Sequence, residues 1–172
     1  IKAALKEKGA HVQVAISYTT SPVHNIEYFL KYAKQIEEAG AHSICLKDMA
    51  GTMSPNEAEG LIKGIKDAIG DMPIVLHTHC TTGMAYMTLM KAIDSGVDVI
   101  DTATSCFSNG TSQAATETMF YALQQYGIST GLNEDVINQV NDYFKPIKQK
   151  YVDSGLINPK SMATDSQALV YK

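Results

Sequence analysis

The 172-residue chain contains no arginine; all fourteen of its basic residues are lysines. Small carboxylic and phosphorylated substrates are usually clamped by the bidentate arginine fork. A chain serving such chemistry must use lysine for that job or draw the clamp from residues outside itself. Cysteine is scarce and odd in number, at Cys45, Cys80 and Cys106, with no CxxC pair. That fits a reducing compartment better than a disulfide scaffold, so a cytoplasmic location is expected. No apolar run approaches the ~20 residues of a membrane span. The start, Ile1 to Lys8, lacks the make-up of a signal peptide, and no direct membrane insertion is expected. Basic charge is short as well. A net charge of −4, without a basic stripe, argues against nucleic acid as a partner.

What is present is a repeating unit. A β-type run from His11 to Tyr18 leads through Thr20-Ser21-Pro22 to a helical pattern from Val23 to about Ala39. Ser21 is the expected N-cap there, with Pro22 at the first helical position and Gly40 at the stop. A second strand, His42 to Lys47, precedes a helix opened by Ser54-Pro55-Asn56-Glu57, a capping box, which ends at Gly70. A third strand, Pro73 to His77, leads to a helix from about Met84 to Asp94. A fourth, Val97 to Asp101, leads through a Ser/Asn/Gly-rich loop to a helix from about Ser112 to Gln125.

Alternating strands and helices of this kind make parallel βα units. The strands are apolar nearly throughout, as strands covered on both faces must be. A doubly wound sheet and a (β/α)8 barrel both use such units, but the GxGxxG fingerprint follows none of these strands. The expected fold class is therefore α/β, consecutive βα units of a (β/α)8 TIM barrel with about half the barrel present. A long amphipathic helix from about Asn133 to Ser154 follows. The stretch from Asn158 to Lys172 has no periodicity and is expected to be extended or poorly ordered. The expected division is 1–128 as a partial barrel and 129–172 as a helical extension and tail.

Chemistry in parallel α/β folds gathers at the C-terminal strand ends. Here every one of those ends is polar: Ser17 to Thr20, Lys47-Asp48, His77-Thr78-His79 and Asp101 to Thr104. His77 and His79, two apart on a strand, point to one face with Cα atoms roughly 6.6 Å apart. They can converge on one metal ion, or one can cap a carbonyl while the other is solvated. Their place at a strand end favours the metal. Lys47 finishes a buried strand, where its charge must be solvated, paired or removed. Asp48 could pair with it. Alternatively the amine is neutral and has captured carbon dioxide as a carbamate, a carboxylate equivalent able to ligate a metal.

Leu46-Lys47-Asp48-Met49-Ala50-Gly51 and Leu76-His77-Thr78-His79-Cys80-Thr81-Thr82-Gly83, with Tyr18 to His24 and Asp101-Thr102-Ala103, resemble the carboxyltransferase domain of biotin-dependent enzymes. That family includes pyruvate carboxylase, the oxaloacetate decarboxylase α subunit and the transcarboxylase keto-acid subunit. The resemblance runs from Ile1 to about Gln125. It implies metal ligands at Lys47, as a carbamate and with a catalytic role, and at His77 and His79. It implies metal-dependent carboxyl transfer between biotin and a 2-keto acid, oxaloacetate or pyruvate. The implied cofactors are a zinc-like divalent metal, with cobalt or manganese as other candidates, and biotin carried on a partner domain or subunit. A homo-oligomeric parent protein is also implied.

The family's fourth ligand, an Asp in an Arg-Asp-x-x-Gln segment, has no counterpart in the chain. Nor do its substrate-binding arginines or its proton-shuttling threonine. A truncated parent, and a chain that is non-catalytic by itself, follow as expectations. The competing activity is an aldol or Claisen lyase or synthase of a related barrel, such as the 3-hydroxy-3-methylglutaryl-CoA lyase type. It shares HxH but in general lacks the lysine. Cys80 departs from the family's usual residue, and side-chain alternation turns it away from the ion as a packing residue. His11, His24 (in the first helical turn) and His42 are expected to be structural. The methionines read as core filler. Ser105 to Ser112 is expected to line the site mouth, and the helix start after it to hold an anion.

Overall fold

The computed structural model describes residues 9–169. The start that was read as no signal peptide and the last three residues of the tail lie outside the described residues. Four strands, β1 (Gln13–Ser17), β2 (Ser43–Asp48), β3 (Ile74–Thr78) and β4 (Val99–Ile100), pair in parallel in the order β1-β2-β3-β4. The first four of five helices, α1 (Ile26–Glu38), α2 (Pro55–Ile69), α3 (Ala85–Asp94) and α4 (Thr116–Gln125), each follow one strand. The fifth, α5 (Glu134–Asp153), stands apart from this alternation. No helix among the described residues is long and apolar enough to cross a membrane.

Local chemistry explains most of the boundaries. At α2 the Ser54 side chain accepts from the Glu57 amide and the Glu57 side chain reaches back to the cap, with Pro55 just inside. At α1 the cap is Asn25, whose side chain accepts from the Tyr28 amide at 2.9 Å. The expected Ser21 instead bonds the His24 ring at 2.7 Å and the Val23 amide. Pro22 sits in the turn before the helix, and His24 precedes the helix as well. β4 is shorter than expected because only β3 is there to pair with it. Its ladder is extended by the Asp98 carboxylate, which accepts from the Ile74 amide at 2.7 Å and the Lys66 amine at 2.6 Å.

The two faces of the sheet differ. Ile44, Leu46, Ile74 and Leu76 point to the helix side and are fully buried against Phe29, Ile62, Ile65 and Leu89. On the other face Cys45 and Val75 are buried at the centre, but Ala15 on β1 and Val99 on β4 are exposed. The expectation that every strand is covered on both faces therefore fails at the two edge strands, which have a neighbour on one side only.

α5 buries no residue. It touches the body through Asn141, whose side-chain oxygen accepts from the Cys106 amide at 2.8 Å, and through the Phe107–Phe144 ring contact. The tail, expected to be extended, forms short 3-10 turns at Pro159–Met162 and Ser166–Leu169. It docks on the loops that follow β3 and β4: the Thr111 amide donates to Ser161 O at 3.0 Å and the Asp165 amide to Thr81 O at 2.7 Å.

Candidate functional site

Parallel register sets Ser17, Lys47 and His77 side by side at the C-terminal ends of β1, β2 and β3. Lateral neighbours in a sheet share a face, so the lysine and the imidazole project together. Lys47 is half-buried, and its amine makes no hydrogen bond or ion pair with any described residue. Asp48 does not pair with it. The next residue along a strand faces the opposite way, and the Asp48 carboxylate is fully buried there. It accepts from the Thr52 amide at 3.1 Å, the Met53 amide at 3.0 Å and the Thr78 hydroxyl at 2.9 Å. Asp48 thus ties the loop after β2 to the end of β3.

His77 lies on β3 and His79 just beyond it, where it bridges to Gln113. His77 Nδ1 stands 2.8 Å from Asp101 Oδ2, and His79 Nδ1 stands 2.5 Å from the carbonyl oxygen of Thr111. A carboxylate and a carbonyl only accept, so both rings carry hydrogen at Nδ1. The two Nε2 atoms face each other at 3.0 Å, within hydrogen-bond distance. Fixing the far nitrogen in this way orients a metal-ligating histidine and strengthens it as a donor. The donor chemistry therefore fits a divalent ion: two oriented imidazoles and an unpaired lysine on a neighbouring strand. Among the described residues no group of three or more His, Cys, Asp or Glu could hold a metal.

Two members of the site carry no role in the sequence reading. Asp101 is visible there as one polar strand end among four and as part of the segment that resembles the family, with no role of its own. Gln113 follows the Ser/Asn/Gly-rich loop, yet its amide nitrogen lies 3.2 Å from His77 Nε2 and 3.0 Å from His79 Nε2. No short-range pattern marks it. The loop itself does lie beside the site, since Thr111 holds His79. The helix start expected to hold an anion has an acidic residue in its first turn. α4 starts at Thr116, and its first turn buries Glu117, whose carboxylate accepts from the Ser105 amide at 2.9 Å and hydroxyl at 2.6 Å. The amides at this helix start that have partners are held within the chain, Ala115 by the Tyr86 hydroxyl at 2.9 Å and Thr116 by the Ala103 carbonyl at 2.8 Å.

The remaining histidines are structural. His11 bonds Ser43 Oγ at 2.9 Å and His42 accepts from the Val12 amide at 3.0 Å, both at the start of the strands, away from the site. His24 bonds Ser21 and stacks edge-on against Tyr28. Cys80 is buried in the hydrophobic core, and burial pushes its thiol up from the ordinary value. It is a packing residue.

The model of a family described as HMGL-like matches residues 1–143. A pyruvate carboxylase subunit of Methanocaldococcus jannaschii is 45% identical over 167 residues, which make up 97% of this chain and 29% of that protein. The methylmalonyl-CoA carboxyltransferase 5S subunit of Propionibacterium freudenreichii subsp. shermanii is 46% identical over 150 residues, 87% of this chain and 30% of that one. Among solved structures, the carboxyl transferase domain of Rhizobium etli pyruvate carboxylase with pyruvate matches with a TM-score of 0.82 and 33% identity. That match covers 87% of this chain and 26% of the other. The same domain with 3-hydroxypyruvate matches with a TM-score of 0.86 and 29% identity over 98% of this chain and 29% of the other. These matches bear out the expected fold class, parallel βα units forming part of a carboxyl transferase barrel. The chain spans under a third of the length of these relatives.

Proposed function

This chain belongs to the HMGL-like family, and from that premise we propose that it supplies part of the carboxyltransferase site of a biotin-dependent enzyme. The reaction is transfer of a carboxyl group between biotin and a 2-keto acid such as pyruvate or oxaloacetate. The observation that carries this reading is the imidazole pair, with both Nε2 atoms converged and both Nδ1 atoms held, beside an unpaired strand-end lysine. Relatives at 45% and 46% identity named as carboxylase and carboxyltransferase subunits favour it over the aldol or Claisen alternative.

In this reading His77, His79 and Lys47 hold a divalent, zinc-like ion. Lys47 does so as a carbamate: its neutral amine nitrogen bonds the carbon of carbon dioxide and releases one proton to solvent, leaving an anionic oxygen donor. When bound, the ion supplies Lewis-acid chemistry for a substrate keto oxygen. Asp101 and the Thr111 carbonyl each retain a proton on Nδ1 and so keep both lone pairs aimed at one point. Asp48, bonded to Thr78 between the two histidines, holds the two strand ends together. Both directions of transfer pass through the same keto-acid enolate, so one set of residues serves carboxylation and decarboxylation.

The domain division we propose is 1–128 as barrel and 129–172 as helical extension. The partners are a biotinyl carrier domain or subunit and further copies of the parent protein, in the cytoplasm. Without arginine in this chain, substrate clamping falls to other parts of that protein, and the chain is inactive by itself. The test is metal content and oxaloacetate decarboxylation of the intact protein beside its Lys47→Ala and His79→Ala variants. Both variants should lose most of the bound metal and the activity. Metal content and turnover equal to the unaltered protein in both would sink the proposed site.

A further inference from the structure

We propose that Asn109 and Gly110 form a self-modification site, at which the chain deamidates spontaneously through a succinimide at a rate restrained by Tyr86. Of the chain's asparagines only Asn109 precedes a glycine, and without a Cβ of its own Gly110 leaves the attacking amide nitrogen unshielded. Asn109 is exposed, and the Gly110 amide donates no hydrogen bond to any described residue. In the reaction the Gly110 nitrogen, its proton lost to hydroxide, bonds Asn109 Cγ. The Cγ–Nδ2 bond breaks and ammonia leaves, taking a proton from water. Water then opens the five-membered imide, at Cγ to give an aspartate or at the main-chain carbonyl to give an isoaspartate. One water is consumed and one ammonia released, with nothing oxidised or reduced.

Both ends of the carboxamide are held. The Tyr86 hydroxyl oxygen accepts from the Ala115 amide at 2.9 Å, so its own hydrogen goes to Asn109 Oδ1, also at 2.9 Å. Ser108 Oγ gives its hydrogen to the Ser105 carbonyl at 2.9 Å and accepts from Asn109 Nδ2 at 2.9 Å. The two neighbours therefore fix which end of the amide is oxygen. Ring closure turns the carboxamide to present the face of Cγ to the Gly110 nitrogen, which loses the bonds to Tyr86 and Ser108. Tyr86, on α3, thus restrains a reaction in the loop after β4. The backbone is pinned as well: the Asn109 amide donates to the Gln113 carbonyl at 2.8 Å, and the Asn109 carbonyl accepts from the Ser112 amide at 2.9 Å. An isoaspartate adds a carbon to the main chain at 109 and puts these bonds out of register. The same loop receives the Cys80 amide on its Ser112 carbonyl at 2.7 Å, so the change reaches the end of β3.

The intact protein, held at mildly alkaline pH, should slowly gain aspartate and isoaspartate at position 109, as read by peptide mass spectrometry. Attack needs the deprotonated amide, so the rate should climb with pH. Tyr86→Phe, which keeps the ring and removes the hydroxyl, should react about fivefold faster at this position, as expected for losing one hydrogen bond of ordinary net strength. Ser108→Ala frees the other end of the carboxamide and should act in the same direction; it decides the matter if Tyr86→Phe does not fold. Asn109→Gly, which tolerates the positive φ, should yield no product in this loop. A urea-unfolded sample supplies the unrestrained rate. If that sample reacts fully while the folded protein and both folded variants yield no product at 109, the site is closed and the proposal fails. If the folded variants react no faster than the unaltered protein, the restraint assigned to Tyr86 fails. These readouts are chemical and do not depend on how His77, His79 and Lys47 are used.

Discussion

A methyl group added at Gly51 would collide with the carbonyl oxygen of His79, and the backbone there already sits at φ +67°. Glycine alone takes that conformation without strain. The Gly51 carbonyl also accepts the buried Thr82 hydroxyl, so one small residue locks the loop after β2 to the loop after β3. Gly51→Ala should therefore cost about 2–3 kcal/mol of stability and shift His79. A lower urea midpoint together with weaker metal binding would show this; no change in either would refute the close approach. The thiols carry a pH prediction. Burial raises Cys45 and Cys80 above the ordinary 9.0, and the Asp101 carboxylate adds to the rise at Cys45. Thiolate is the reactive form, so iodoacetamide should label the less buried Cys106 first in the native protein, as read by peptide mass spectrometry. Below 9.0 both folded and unfolded chains hold these protons. Above it the unfolded chain releases them first, so stability should fall as pH climbs past that value.

Among the elements, the tail has the least obvious connection to the site. Thr111 donates its amide to Ser161 and accepts His79 Nδ1 on its carbonyl. A single residue therefore couples the tail to an imidazole. Gly110, at φ +54°, passes directly beneath the Ser161 and Met162 backbone, where a Cβ has no room. Gly110→Ala should lift the tail, and limited proteolysis should then cut within 158–167 faster while the βα units resist as before. Equal cleavage rates would mean that the tail does not rest on Gly110. The sequence made the repeating units legible because their signals are local: the capping box at Ser54 to Glu57 and the Lys47 and HxH strand ends sit within a few residues. What it hid depends on distant partners. Ser21 looks like a cap until His24 takes its hydroxyl, and β4 looks longer than its single neighbour allows. The docking of the tail uses backbone bonds that leave no mark in side-chain pattern. Gln113 meets His77 across a separation of 36 residues, and only the fold brings them together.

At the scale of the whole molecule, the four-stranded sheet leaves β1 and β4 as edges among the described residues. Closure into a barrel removes such edges, but this sheet presents them. Val99 is 48% exposed on β4. Beside it an apolar groove of about 480 Å3 opens between α3 and α4, lined by Ile93, Val97, Ile100, Met119 and Leu123. On the far edge Ala15 is exposed on the same face as Lys47. An unpaired parallel edge flanked by apolar surface is a template for another strand. Produced as this 172-residue chain, the protein should therefore self-associate as concentration rises, with sedimentation velocity showing species larger than the 18.7 kDa monomer. A lysine at an edge resists such pairing, so Val99→Lys should shift the distribution toward monomer. Lys63→Gln, on the exposed surface of α2, should leave it unchanged. In the intact protein Val99→Lys should do the opposite of helping: if the remaining units of a barrel cover β4, the buried charge should cost several kcal/mol. Equal stability of the intact protein with and without that lysine would mean that β4 stays an open edge there too.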